Sequence, residues 1–357
     1  MKITHLKNTL ITMTALALAQ STAIARNEDG SNPDLGQRSL STESEPKIVV
    51  IGGSTGFGIS YLPLLVMEDK KLLEKHAAAL GLKVSMQFQR FPTSSPMYDD
   101  LVAGRIDFAS GGISQLLTSW DKTHNDPTLQ VRGVGALNSM PLYLVSSNPD
   151  VKTIADFTVK DKIALPAVRT SIQAVILAMA AEKAFGKDQA DKLEPLTVSM
   201  GHPEAMQAIL SGNSGIDAHF ASAPFMYEEL ARPGIRRLLD SYEVVGGPHT
   251  HNVVWTTTRF RDANPKIVTA FVDALQEALD QIKADPAAAA ALYVKVEGIK
   301  NMSAAQVEEF LRRPENEWTI TPKKFMPFAA FMNQQGIIAN KPADWRELFF
   351  ENITDGN

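Results

Sequence analysis

The sequence predicts an α/β fold in two lobes, and three observations carry that reading. Short apolar runs alternate with helical periods from Lys47 to about Ala231, the signature of sheets with helices on both faces. The stretch Lys162–Gly186, KIALPAVRTSIQAVILAMAAEKAFG, shows one such unit in full. It opens with apolar residues that do not alternate, as in a strand covered on both sides; from Ile172 the apolar positions recur at Val175, Ile176 and Met179, a helical spacing closed by Gly186. Lastly, Ile106–Gly112 and Ile216–Pro224 echo each other: a helix and a glycine, then a strand with Asp at its second position and a turn of small residues. A length of 357 residues also suggests more than one domain.

Residues 1–25 read as a secretory signal peptide, with Lys2 and Lys7, the apolar run Leu10–Ala19, and the small-x-small site Ala23-Ile24-Ala25. The apolar run is too short for a permanent span, and without a twin-arginine pair general secretion is expected. Arg26–Pro46, rich in Ser, Asn, Asp, Glu, Gly and Pro, reads as a disordered spacer. The chain has no cysteine, which excludes disulfides, thiolate metal sites, a cysteine nucleophile and a lipoprotein anchor. A soluble periplasmic protein is the expectation. Removing the leader takes two lysines and no acids, leaving 33 basic and 40 acidic residues, net −7. That balance disfavours nucleic acid and anionic membrane as partners, though a local site can still take an anion.

In chain order, Ile48–Gly53 is a buried strand, followed by the small-residue turn Ser54-Thr55-Gly56-Phe57-Gly58 and one helix with Pro63 in its first turn and Gly81 beyond its end. The turn lacks the Gly-Lys-Ser/Thr of a nucleotide loop and the dinucleotide glycine spacing, so it reads as a backbone approach to a small ligand. Strands follow at Val84–Phe91, Ile106–Ala109, Val131–Leu137 and Leu142–Ser146, with helices at Met97–Ala103 and from Ile113 to Trp120. In the second half, Leu196–Ser199 and Ile216–Ala221 are strands, and helices cover Pro203–Leu210 and about Phe225–Ala231. Val253–Thr257 is a strand returning to the first lobe. The remainder is helical packing, with Asn264 as a cap, Asp285-Pro286 as a break and Ser303 with Gln306 as a capping box.

The corner Arg169-Thr170-Ser171 turns a strand into a helix and leaves the first helical N–H groups unpaired at a strand's carboxyl end. Thr170 or Ser171 can cap it, and Arg169 makes the spot attractive to an anion. Among the seven histidines, His202 starts a helix beside Pro203, where it could reach a ligand, His219 lies within a strand and reads as core, and His249-Thr250-His251, two imidazoles on one face that a metal could use, reads rather as part of a hinge. Phe57, Tyr61 and Phe225 suit either a cleft wall or the core.

Together, the leader, the opening strand and loop, LVAGRIDFASGG (Leu101–Gly112), Lys162–Gly186 and Ile216–Pro224 resemble periplasmic substrate-binding proteins of ABC importers, of the nitrate, sulfonate, taurine and thiamine-pyrimidine type. The resemblance covers about residues 47 to 340 and rests on the order of elements. It implies a two-lobed periplasmic binding protein fold of type II, each lobe a mixed sheet flanked by helices. Lobe 1 would hold residues 47–148 and 252–357 and lobe 2 residues 149–251, with crossings near Ser146–Val151 and Gly246–Val253. Ligand would sit at strand carboxyl ends. Lobe 1 would contribute Ser54, Thr55, Gly56, Tyr61, Gly111, Gly112, Asn138 and Met140, and lobe 2 would contribute Arg169, Thr170, Ser171, His202, Ser222 and Pro224. The implied partners are a small solute and an inner-membrane permease, the protein acting as a monomer with no cofactor, metal or catalytic residue. A sensor domain is the alternative. An enzyme of thiamine-precursor metabolism is a further one, but its relatives use a cysteine-bearing motif and this chain has no cysteine.

Overall fold

The computed structural model describes residues 47–54, 58–91 and 94–356, so the leader and spacer readings lie outside the described residues. The first sheet begins with β1 (Lys47–Ser54), and a short 3-10 turn at Ile59–Tyr61 leads into α1 (Leu62–Asp69) and α2 (Leu72–Ala79). The single helix expected here is corrected to two, because Lys71 adopts a left-handed φ of 50° that no helix interior accommodates. There follow β2 (Val84–Phe91), α3 (Ser94–Ala103), β3 (Phe108–Gly112), α4 (Ile113–Thr123) and β4 (Val131–Ala136). The chain then enters the second sheet with β5 (Tyr143–Ser146), β6 (Ile163–Leu165), α5 (Ile172–Phe185), β7 (Thr197–Ser199), α6 (His202–Ser211), β8 (Ala218–Ala221), α7 (Phe225–Leu230), β9 (Arg236–Asp240) and α8 (Ser241–Val245). It returns through β10 (Asn252–Thr257) and ends in α9 (Thr258–Ala263), α10 (Pro265–Ala284), α11 (Pro286–Glu297), α12 (Ala304–Leu311) and α13 (Phe325–Gln334).

The sheets run in the orders β2-β1-β3-β10-β4 and β7-β6-β8-β5-β9. In each, four strands run the same way and the fifth is inserted antiparallel: β10 between β3 and β4, β5 between β8 and β9. The passage expected near Ser146–Val151 is corrected to residues 137–142, because the backbone of β5 pairs entirely within the second sheet. The return passage is residues 246–251, and the two lie side by side, with His251 N donating to Asn138 O at 3.3 Å. Ser139 also exchanges backbone bonds of 2.8 Å with Glu317, so a third segment braces the junction.

Two apolar cores run along opposite faces of both sheets. Leu144 and Val145, successive in β5, belong to different cores, as the period of a strand requires. Phe108 stacks on Phe271 of α10 at 4.3 Å in the first core. In the second, α13 packs on both α4 and α5, so the last helix spans the lobes.

Candidate ligand-binding cleft

Both sheets point strand carboxyl ends at one another, and three helices begin where those strands stop. β3 runs straight into α4, where the Gly112 amide donates to Gln115 Oε1 at 3.0 Å. β6 turns through residues 166–171 into α5, capped by Ser171, whose Oγ accepts from the Ala174 amide (3.2 Å) and donates to Ala167 O (2.7 Å). α6 starts after Gly201 with no side-chain cap. The three N-termini converge on a cleft of about 460 Å³. From lobe 1 it is lined by Gly58, Ser60, Tyr61, Ser94, Gly112 and Gln115, and by His251 and Asn252 at the junction; lobe 2 supplies residues 166–167, Ser171, Ile172, Gln173, residues 201–204 and Ser222. These lining residues include no lysine or arginine, and Glu204 is the one carboxylate among them.

Imidazoles take the place of cations. His202 Nδ1 lies 2.8 Å from His219 Nε2, and His219 Nδ1 lies 2.6 Å from Glu229 Oε1. The other face of this chain is the cleft, where Gln173 Nε2 approaches His202 Nε2 at 3.3 Å. The His202 ring stacks on Phe225. His219 and Glu229 are fully buried, and burial pushes His219 down to about 3 and the Glu229 carboxyl well above its ordinary range. Burial also holds His202 neutral, helped by its neighbour His219. His251 is buried with Nδ1 unpartnered, and burial takes it to about 3. His249 is a satisfied core residue, bonded to Ser241 Oγ and Thr250 O at 2.8 Å each.

The lobes touch at the rim. Ile59 N donates to Ala223 O at 3.1 Å, and Ser114 Oγ donates to Thr170 O at 3.0 Å. Gly58 packs so closely on Ala223 that an added methyl group would meet its carbonyl oxygen.

A family model described as NMT1/THI5 like matches residues 78–289, more than half of the chain. The chain belongs to the NMT1/THI5-like family. Its fold is that of the periplasmic binding proteins. The aliphatic sulphonate binding protein SsuA from Escherichia coli is 18% identical with a TM-score of 0.63, over 87% of this chain and 99% of that one. The alkanesulfonate-binding protein SsuA from Xanthomonas axonopodis pv. citri, bound to MOPS, is 18% identical with a TM-score of 0.61, over 83% and 95%. The nitrate-binding protein NrtA from Synechocystis PCC 6803 is 14% identical with a TM-score of 0.58, over 75% and 70%. At these identities the likeness is one of fold. No curated protein sequence matches the chain. Among the described residues, no helix is long and apolar enough to cross a membrane.

In this NMT1/THI5-like protein the cleft gathers Tyr61, Gly112, Ser171, His202 and Ser222 from the residues expected there. Ser54 ends β1, whereas Thr55 and Gly56 lie outside the described residues. Gly111 packs under the Gln115 side chain, one residue behind the lining. Asn138 and Met140 are buried at the junction, Asn138 Nδ2 donating to Ser60 O at 2.6 Å. Pro224 is the N-cap of α7, buried behind Ser222. Thr170 is exposed at the rim and lines a separate 200 Å³ pocket.

Arg169 is a correction. Its φ of 67° is left-handed, its side chain is 74% exposed, and it pairs with Glu194 on the outer side of lobe 2, over a surface depression that is larger than the cleft. Replacing Arg169 by alanine is therefore expected to change solute affinity less than about twofold, since exposed pairs contribute ~0–1 kcal/mol and this one faces away. A loss of tenfold in a titration would return the arginine to the cleft.

Local pattern did not single out Gln115, Gln173 or Asn252, and it read His251 as part of a hinge rather than of the cleft. Gln115 and Gln173 occupy first turns of helices that open on the cleft, which is the one signal that pointed to them.

Proposed function

We propose that this NMT1/THI5-like protein is the periplasmic solute-binding component of an ABC importer. It acts as a monomer that closes two lobes on a small anionic organic or inorganic solute, or on a pyrimidine, and hands it to an inner-membrane permease. The observation that carries the reading is the convergence of the N-termini of α4, α5 and α6 on one interlobe cleft. Each such terminus favours an anion by ~0.3–1 kcal/mol. Micromolar binding requires about 8 kcal/mol, so three termini supply only part of it. Hydrogen bonds to a charged ligand contribute ~1.5–3 kcal/mol each, and Ser60, Ser222, Gln173, His202 and Asn252 are all placed to make them. Structural neighbours named for sulfonate and nitrate binding support the anionic class. Solute would act by stabilising the closed arrangement of the lobes. We read the cleft as binding and not catalytic.

The test is a thermal-shift screen of residues 26–357 against nitrate, bicarbonate, methanesulfonate, taurine and a hydroxymethylpyrimidine. A solute at a hundred times its dissociation constant is expected to add about 2.7 kcal/mol of stability. If none of these moves the midpoint while uncharged sugars or amino acids do, the anionic reading is wrong.

A further inference from the structure

Glu229, His219 and His202 form a single file from the interior of lobe 2 to the cleft, and hydrogen-bond arithmetic allows that file only two neutral-imidazole arrangements. Every contact along it pairs one donor with one acceptor. If Glu229 Oε1 carries a proton, it donates to His219 Nδ1; His219 Nε2–H then donates to His202 Nδ1, and His202 Nε2–H is left to donate into the cleft. If Glu229 is ionised, each bond reverses: His219 Nδ1–H donates to the carboxylate, His202 Nδ1–H donates to His219 Nε2, and His202 turns a lone pair toward the cleft; a proton on Oε2 would give the same sense but leave a buried O–H without a partner. One proton at the buried end thus decides whether the exposed end is a donor or an acceptor.

The surroundings select between the two. Glu229 is fully buried, and its second oxygen, Oε2, has no partner. Among the described residues no lysine or arginine pairs with it, and its ion-pair contact is His219 alone. A carboxylate with a bare oxygen and no cation is expensive to bury, whereas a carboxylic acid is not. The titratable groups facing His202 are His219 from β8, His251 from the junction, Glu204 on its own helix and Tyr61 from lobe 1, so no fixed positive charge offsets the ionised form. The Gln173 amide meets His202 Nε2 and, turned over, accepts from that N–H as readily as it donates in the other sense.

We propose that a proton on Glu229 Oε1 sets the tautomers of His219 and His202, so that His202 directs an Nε2–H donor into the cleft and the site selects solutes presenting an oxyanion there. Glu229 is a positioning residue, since it touches no solute and acts through two imidazoles. The relay explains how a cleft with no lysine or arginine in its lining favours an anion. It also carries a cost: ionising Glu229 turns the donor into an acceptor that repels the same solute.

This inference rests on the cleft being the solute site, and its primary test does not need a solute. Long-range ¹H–¹⁵N correlation spectra distinguish the two histidine tautomers. At about pH 7 both His202 and His219 are expected as Nε2–H, and over the alkaline range, as the buried Glu229 carboxyl ionises, both convert to Nδ1–H. Glu229→Gln, whose amide N–H donates to the same His219 Nδ1, is expected to hold the Nε2–H tautomers across that range. Finding His202 as Nδ1–H at neutral pH, or the same conversion in Glu229→Gln, overturns the relay whatever the cleft binds. With methanesulfonate as probe, wild-type affinity is expected to fall at least about tenfold across that range, while the affinity of Glu229→Gln changes less than about twofold. Parallel profiles for the two proteins would likewise overturn it. Absence of methanesulfonate binding at every pH would instead count against the anionic solute reading and leave the tautomer result to decide the relay.

Discussion

Replacing Gly58 with alanine is expected to weaken solute binding by roughly 5- to 150-fold while leaving the melting temperature of the solute-free protein nearly unchanged. Gly58 has φ −75° and ψ 174°, an ordinary extended backbone, so alanine introduces no conformational strain of its own. The obstacle lies across the cleft, where the new methyl meets the Ala223 carbonyl oxygen and lies 3.2 Å from Ser222 Oγ. That carbonyl already accepts from Ile59 N, so it has no easy direction in which to retreat. Overpacking of this kind costs about 1–3 kcal/mol. The contact exists only while the lobes touch, so the cost falls on the closed arrangement and passes into affinity as a coupling energy of the same size. Titration calorimetry with the anion that gives the largest thermal shift measures the loss. Small-angle scattering should find the variant more extended than wild type at equal solute. An unchanged dissociation constant would mean that closure does not pass through this contact.

The second large effect is loss of stability in mild acid. Burial drives His219 and His251 to about 3 and His249 to about 4, while each titrates near 6.5 once unfolded. Between those values the unfolded chain binds protons that the folded chain refuses, so stability is fully present above about pH 6.5 and is lost as the pH falls through this window. Glu229 works the other way. Its folded form keeps a proton that the unfolded form releases above about 4.5, which offsets one histidine. Counting His202, His219, His249 and His251 as four sites, less Glu229, leaves three protons, or roughly 4 kcal/mol per pH unit at ~1.4 kcal/mol each. Against a typical stability of about 5–15 kcal/mol, that slope should unfold the protein within a few pH units. Urea midpoints at about pH 7.5, 6 and 5 read it directly. A flat profile would mean that these imidazoles reach solvent in the folded state.

Much of the local structure is legible in the residues themselves. A switch from a continuous apolar run to helical spacing marks β6 and α5, and Ser171, Gly112 and the Gly201-His202-Pro203 start are recognisable as helix openings from short-range chemistry alone. The same openings located Gly112, Ser171 and His202 in the cleft, because a strand that ends in a helix start exposes backbone N–H groups wherever it is placed. The two-lobed plan was visible in the echo of Ile106–Gly112 by Ile216–Pro224. What pattern could not say is which of two sheets would take Tyr143–Ser146. Either sheet satisfies the strand's hydrogen bonds and buries its apolar side chains, and the choice was made by β8 and β9, far away in the chain. Nor could it say where Arg169 points. A left-handed φ and a carboxylate 25 residues further on carry the guanidinium to the outer face. His251, Gln173 and the file from Glu229 through His219 to His202 likewise draw their chemistry from partners on separate elements. Periodicity and caps are properties of neighbours along the chain, whereas burial, tautomer and charge depend on neighbours in space, and only the packed lobes supply those.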